Sequence, residues 1–176
     1  MANDLKLDVS HTRIEFTVAH LVVSSVRGQF DKFEGTAKYD EKTSRLEGLE
    51  VKIQTASVNT NEAKRDDHLR SAEFFDADKF PVITFVQAKP ATVRRGVPVL
   101  LSGTLTMRGV SKPVNVSFTY KGSFKDPWGN MHQGFDAAFK INRKDFGLLW
   151  NKAIEGGGVM VGDEVEIKAV GETLPK

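Results

Sequence analysis

Ile14-Glu15-Phe16-Thr17-Val18 and Val114-Asn115-Val116-Ser117-Phe118 each alternate apolar with polar side chains. In an extended chain that period of two puts every second side chain on one face, as a half-buried antiparallel strand requires. The same alternation spreads outward from these two stretches. It predicts a first strand from Leu5 to His20, bent near Ser10 and His11. A second carries Val26, Gly28 and Phe30, then Phe33, Gly35, Ala37 and Tyr39. Further strands are read at Leu49–Ile53, Val82–Val86, Val99–Met107, Phe135–Ile141 and Val165–Ala169. Turn chemistry separates them at Asp40–Ser44, Arg94–Gly96, Arg108-Gly109 and Asp126-Pro127-Trp128-Gly129-Asn130. About eight strands at hairpin spacing read as an all-β sandwich or an antiparallel barrel. The barrel is favoured, because closure removes exposed edges, and because Gly103, Ala137 and Ala169 among larger apolar residues leave interior volume.

One segment breaks the period. Asn61 to Phe75 is rich in helix formers, with Thr60 or Asn61 as N-cap and Leu69, Ala72 and Phe75 as an apolar stripe. Asp66 and Arg70 are spaced to pair across one turn. This helix either plugs one end of the barrel or forms a lid over a ligand mouth.

At 176 residues the chain is read as one domain, 1–176. Its 25 basic and 23 acidic side chains are interspersed, and the net charge of +2 argues against a nucleic-acid partner. There is no cysteine, hence no disulfide, thiolate ligand or thiol nucleophile. No run of about 18 apolar residues supports stable membrane insertion, and Met1-Ala2-Asn3-Asp4-Leu5 lacks a secretory pattern. The expected compartment is therefore cytoplasmic as written, or periplasmic if a leader has been removed.

Catalytic and metal signatures are sparse. His11, His20, His68 and His132 lie far apart without zinc-ligand spacing, so no metal site is expected. Arg65-Asp66-Asp67-His68 is the densest polar cluster, yet on a helix successive residues splay and do not converge on one ligand. Gly156-Gly157-Gly158 is followed by no Lys-Ser or Lys-Thr and reads as a flexible loop; no Gly-x-Ser-x-Gly elbow occurs. Phe16, Phe30, Phe85, Phe118 and Phe139 either fill the barrel or line a cavity within it.

The order of several further segments carries a resemblance. They are Leu7–His11, Ile14–His20, Arg27–Phe30, Asn59-Thr60 and Arg65–Leu69, then Phe74–Asp76 with Phe80-Pro81. Gly103–Val110, Arg143–Gly147 and Val161–Val165 complete the series. With these the chain resembles the YceI-like family of lipocalin-like lipid-binding proteins over nearly its whole length. The resemblance implies an extended lipocalin-like barrel with one or two short helices. Its long apolar channel would take a polyisoprenoid chain, such as an isoprenoid quinone or prenyl lipid, and the protein would be a homodimer. Asp66 and His68 match the family's acidic and histidine positions in the helix, and Arg143 the arginine before its Asp-Phe-Gly. They are expected to orient the helix and loops around the mouth. Two departures from the pattern are Thr12, where serine is common, and the missing leader.

The resulting expectation is a non-enzymatic carrier or store for an isoprenoid lipid, with no catalytic residue and no cofactor beyond that ligand. Candidate lining residues are Phe16, Val18, Phe30, Val51, Phe85, Leu105, Phe118, Phe139, Phe146 and Trp150. Two alternatives stay open: a small enzyme acting on an apolar substrate with His68 or His20 as general base, and a filled barrel serving as an interaction module.

Overall fold

In the computed structural model, which describes Met1–Lys176, the alternating segments become twelve strands, every pair antiparallel. In chain order they are β1 (Asn3–Leu7), β2 (Arg13–His20), β3 (Ser24–Phe30), β4 (Phe33–Asp40), β5 (Arg45–Gln54) and β6 (Val58–Asn59). After helix α1 (Ala63–Arg70) come β7 (Val82–Gln87), β8 (Ala91–Thr92), β9 (Val99–Met107), β10 (Val110–Lys125), β11 (Met131–Asn142) and β12 (Val161–Pro175). Eight of these close into a barrel in the order β1-β4-β5-β7-β9-β10-β11-β12, because β1 pairs with both β4 and β12.

The remaining sheet flares from one strand. β12 carries β1 on Thr173–Pro175 and β2 on Val161–Val170, and β2 in turn carries β3 and β6. The expected single strand from Leu5 to His20 is thus two strands laid end to end along β12. The break has a local cause. The Asp8 carboxylate accepts the Ser10 amide (3.1 Å), the Ser10 hydroxyl (2.6 Å) and a bond from His11 Nδ1 (2.7 Å), which turns the backbone out of the ladder. The second expected strand divides likewise between Phe30 and Phe33, with β3 joining the flare and β4 the barrel.

Inward-facing residues form two buried clusters. At the α1 end, Ile14, Phe30, Val58, Phe74, Phe75, Ile83, Leu105, Met107, Ile141, Phe146 and Leu148 pack together. At the other end, Leu5, Ala37, Tyr39, Leu46, Val93, Leu101 and Val116 do so. Each fully buried large apolar side chain contributes about 1.5–3 kcal/mol, so the two ends are well held. Gly103 does not leave open volume as expected: a Cβ there would lie 2.4 Å from the Phe85 ring, which occupies the space.

The helix is shorter than its sequence suggests and starts differently. Glu62, not Thr60 or Asn61, is the N-cap, its carboxylate accepting the amides of Lys64 (3.3 Å) and Arg65 (2.6 Å). Ser71 ends it by donating its hydroxyl to the His68 carbonyl at 2.6 Å, so Ala72 and Phe75 continue in turns rather than along a helical stripe. Arg70 pairs with Asp67 at 3.0 Å instead of Asp66.

Candidate functional site

The barrel is hollow, and side chains of both clusters form the wall of the cavity. The cavity measures ≈520 Å³, and 37 of its 47 lining residues are hydrophobic, which marks it for an apolar ligand. Val161 and Thr173 of β12 both line it. The twelve residue-to-residue steps between them, at about 3.3 Å each in a strand tilted by about 35–45°, give a void about 30 Å long. A volume of ≈520 Å³ spread over that length is a tube rather than a chamber.

Phe16, Val18, Phe30, Val51, Phe85, Leu105, Phe118, Phe139 and Trp150 all lie on this tube. Phe146 does not. It sits on the 3-10 turn Arg143–Phe146, where alternation no longer decides orientation, and at 1% exposure it is packed inside the α1-end cluster. The sequence reading missed Tyr39, Tyr120, Gln133 and Thr173. Strand parity held the signal for the last two: Gln133 is in phase with Phe135 and Phe139, and Thr173 with Val165 and Ala169.

The tube opens between α1, the β2–β3 turn and the loop before β12, where Lys64, Arg65, His68, His20, Trp150 and Met160 line it. The His68 ring stands edge-on to Phe74 (4.9 Å) and Trp150 (4.8 Å), and its Nε2 meets the Glu73 carboxylate. The Ser71 hydroxyl is spent on the helix end, donating to the His68 carbonyl. Arg143 is 3% exposed. It donates to the carbonyls of Gly162 (2.7 Å), Leu148 (2.6 Å), Trp150 (2.9 Å) and Val161 (3.3 Å). Burial lowers its pKa, and Asp163 at 3.7 Å opposes that shift. Its guanidinium thereby stitches the loop before β12 to the start of that strand.

Asp66, expected at the mouth, is instead buried behind it. It accepts the Thr60 amide (2.8 Å) and hydroxyl (2.5 Å), fixing the chain where it enters α1, while Arg65 Nε donates to the same hydroxyl at 2.8 Å. On the rim, Val22, Val23 and Leu149 are 72%, 89% and 62% exposed. Leu21 and Val22 hold φ of 52° and 67°, and a β-branched residue in that left-handed region is unusual.

A second polar cluster lies on the barrel wall near β1. The His132 ring bonds Glu172 through Nδ1 and Asp126 through Nε2, both at 3.0 Å, and Asp8 holds His11 at 2.7 Å. The bond to Asp126 raises the His132 pKa, and the bond to Asp8 raises that of His11. Hydrogen bonds from Asn130 and Ser10 hold Asp126 and Asp8 below the ordinary carboxylate value. Asp8, His132 and Glu172 present ligand-type atoms within 4.8 Å of one another, a proximity no local spacing revealed. Both His132 nitrogens are already engaged by carboxylates, so the group reads as an ion-pair knot joining β11, β12 and two turns.

The model of the YceI-like domain matches residues 5–173. The chain is 40% identical over 150 residues to Protein YceI of Salmonella newport, covering 84% of this chain and 78% of that protein. Among solved structures, a Campylobacter jejuni YCEI protein is similar at a TM-score of 0.75 and 30% identity, over 90% of each chain. A polyisoprenoid binding domain from Saccharophagus degradans shares the fold at a TM-score of 0.69 and 16% identity, over 97% of each chain. The matched segment runs from the first strand of the closed barrel into the last, and the chain belongs to the YceI-like family.

Proposed function

We propose that this protein binds a polyisoprenoid lipid in its barrel channel, without chemical turnover, as a carrier or store. The observation that carries the reading is the tube itself, about 30 Å long, narrow and walled almost entirely by apolar side chains. A flexible branched hydrocarbon gains about 0.8 kcal/mol per buried CH₂, so several isoprene units bind tightly without polar contacts. The name of the Saccharophagus degradans domain supports the same ligand class. Within that class an isoprenoid quinone is the cargo we favour, and a homodimer the assembly.

Organic extraction and mass spectrometry of the natively purified protein, with native mass spectrometry of the intact complex, test the proposal. A stoichiometric prenyl species is the expected result. A protein that emerges empty and fails to take up added isoprenoid quinone overturns it. Light scattering during size exclusion tests the dimer.

A further inference from the structure

The inner end of the tube carries uncharged polar side chains. There Thr173 of β12 stands directly opposite Gln133 of β11 and, on its other side, opposite Leu7 of β1. Thr173 and Gln133 both line the channel, and the Thr173 hydroxyl is buried with no hydrogen-bond partner in the protein. Tyr39 and Tyr120 close the same end with ring centroids 5.2 Å apart. The Tyr39 hydroxyl, which also faces the side chains of Ser44 and Tyr120, makes a long 3.5 Å contact to the Val93 carbonyl, at the outer limit of a hydrogen bond. A buried hydroxyl without a partner is disfavoured, and a ligand atom that supplies one gains accordingly.

These groups are all neutral. The charged residues that line the channel lie nearer the mouth: Lys64 and Arg65 on α1, Arg143 before the loop, and Glu15 opposite Lys168 of β12, five residues short of Thr173. The inner end thus offers hydroxyl and carboxamide partners in an apolar surround, and none of the residues lining it is a cation that would neutralise a phosphate; Arg95 packs over Gly122, outside that lining.

We infer that the channel takes its cargo head-first, with a neutral carbonyl- or hydroxyl-bearing head group hydrogen-bonded to Thr173 and Gln133 at the inner end. This rests on the lipid-binding reading above and adds an orientation and a selection rule to it. The isoprenoid tail fills the tube back toward Trp150. Quinone-like and phenol-like heads satisfy the inner end, whereas a diphosphate head does not, because its charges would be buried unpaired.

Three probes of equal chain length test the inference: a farnesyl benzoquinone, a farnesyl benzene lacking oxygen, and farnesyl diphosphate. Their affinities are compared by native mass spectrometry for the wild type and for Thr173→Val with Gln133→Leu. The benzoquinone is expected to bind the wild type up to about tenfold more tightly than the hydrocarbon, one or two net hydrogen bonds' worth. The double variant should lose that preference while holding the hydrocarbon equally well. Equal binding of both by the wild type, or a preference unchanged in the variant, overturns the head-first inference and leaves lipid binding intact. Failure of every probe to bind the wild type overturns both. A benzoquinone probe with a diazirine on its ring gives an answer independent of variant folding. Crosslinks are expected at β11 near Gln133 and β12 near Thr173, and crosslinks at α1 or residues 147–160 instead would overturn the inference.

Discussion

Arg143 engages four carbonyls at once, and no other single side chain ties so much of the mouth together. Arg143→Ala leaves those acceptors unpaired and is expected to destabilise the fold by about 2–4 kcal/mol in chemical denaturation, since each buried unsatisfied group costs about 1–3 kcal/mol. Arg143→Lys should recover little of it, because one ammonium cannot reproduce the planar fork. Ala137 and Ala169, direct cross-strand partners on the channel wall, lead to a different outcome. Ala137→Phe extends into void rather than into packed atoms, so it should leave thermal stability nearly unchanged. Bound lipid measured by mass spectrometry should fall severalfold. At this scale the sequence was informative wherever a residue lay within an alternating strand, as Phe118 and Phe139 do. It failed for Phe146, whose orientation is set by a 3-10 turn, and it put Asp66 on the mouth itself, whereas a bond to Thr60 that no period encodes holds Asp66 buried behind it, where it orients the start of α1.

At the scale of elements, the strands were legible because one wetted face and one apolar face repeat every second residue. The breaks were less so, since they depend on single side chains that bond their own backbone, as Asp8 and Ser71 do. Glu62 is another such case. Glu62→Ala removes the acceptor for two helix-start amides and is expected to cost about 1 kcal/mol, read as a shift of the urea midpoint. The knot of Asp8, His11, Asp126, His132 and Glu172 joins elements rather than forming one, and it makes stability depend on pH. His132 and His11 have raised values, so their contribution is complete below the ordinary 6.5 and is lost as pH rises through those raised values. Asp8 and Asp126 have lowered values, so theirs is present above the ordinary 3.8 and is lost on acidification through the lowered ones. Melting temperature should therefore be highest between about pH 4 and 6.5 and decline toward alkaline pH, and His132→Gln should flatten that decline.

The whole molecule is a barrel with an apolar tube along its axis that opens beside α1. Cargo should stabilise it by mass action: at a free concentration one hundred times Kd, a ligand that binds only the folded state adds about 2.7 kcal/mol. Calorimetric scans with and without added isoprenoid quinone should show the melting transition move upward with concentration. The closing pair, Leu5 with Pro175, also has a bearing on how the chain is born. The first strand made has to wait for the last, across nearly the full span of the sequence. Closure is therefore a late step with a large loop entropy, and folding belongs to the slow, millisecond-to-second regime of non-local β topologies. Until β12 emerges from synthesis there is no tube to fill, so loading can only follow completion of the barrel.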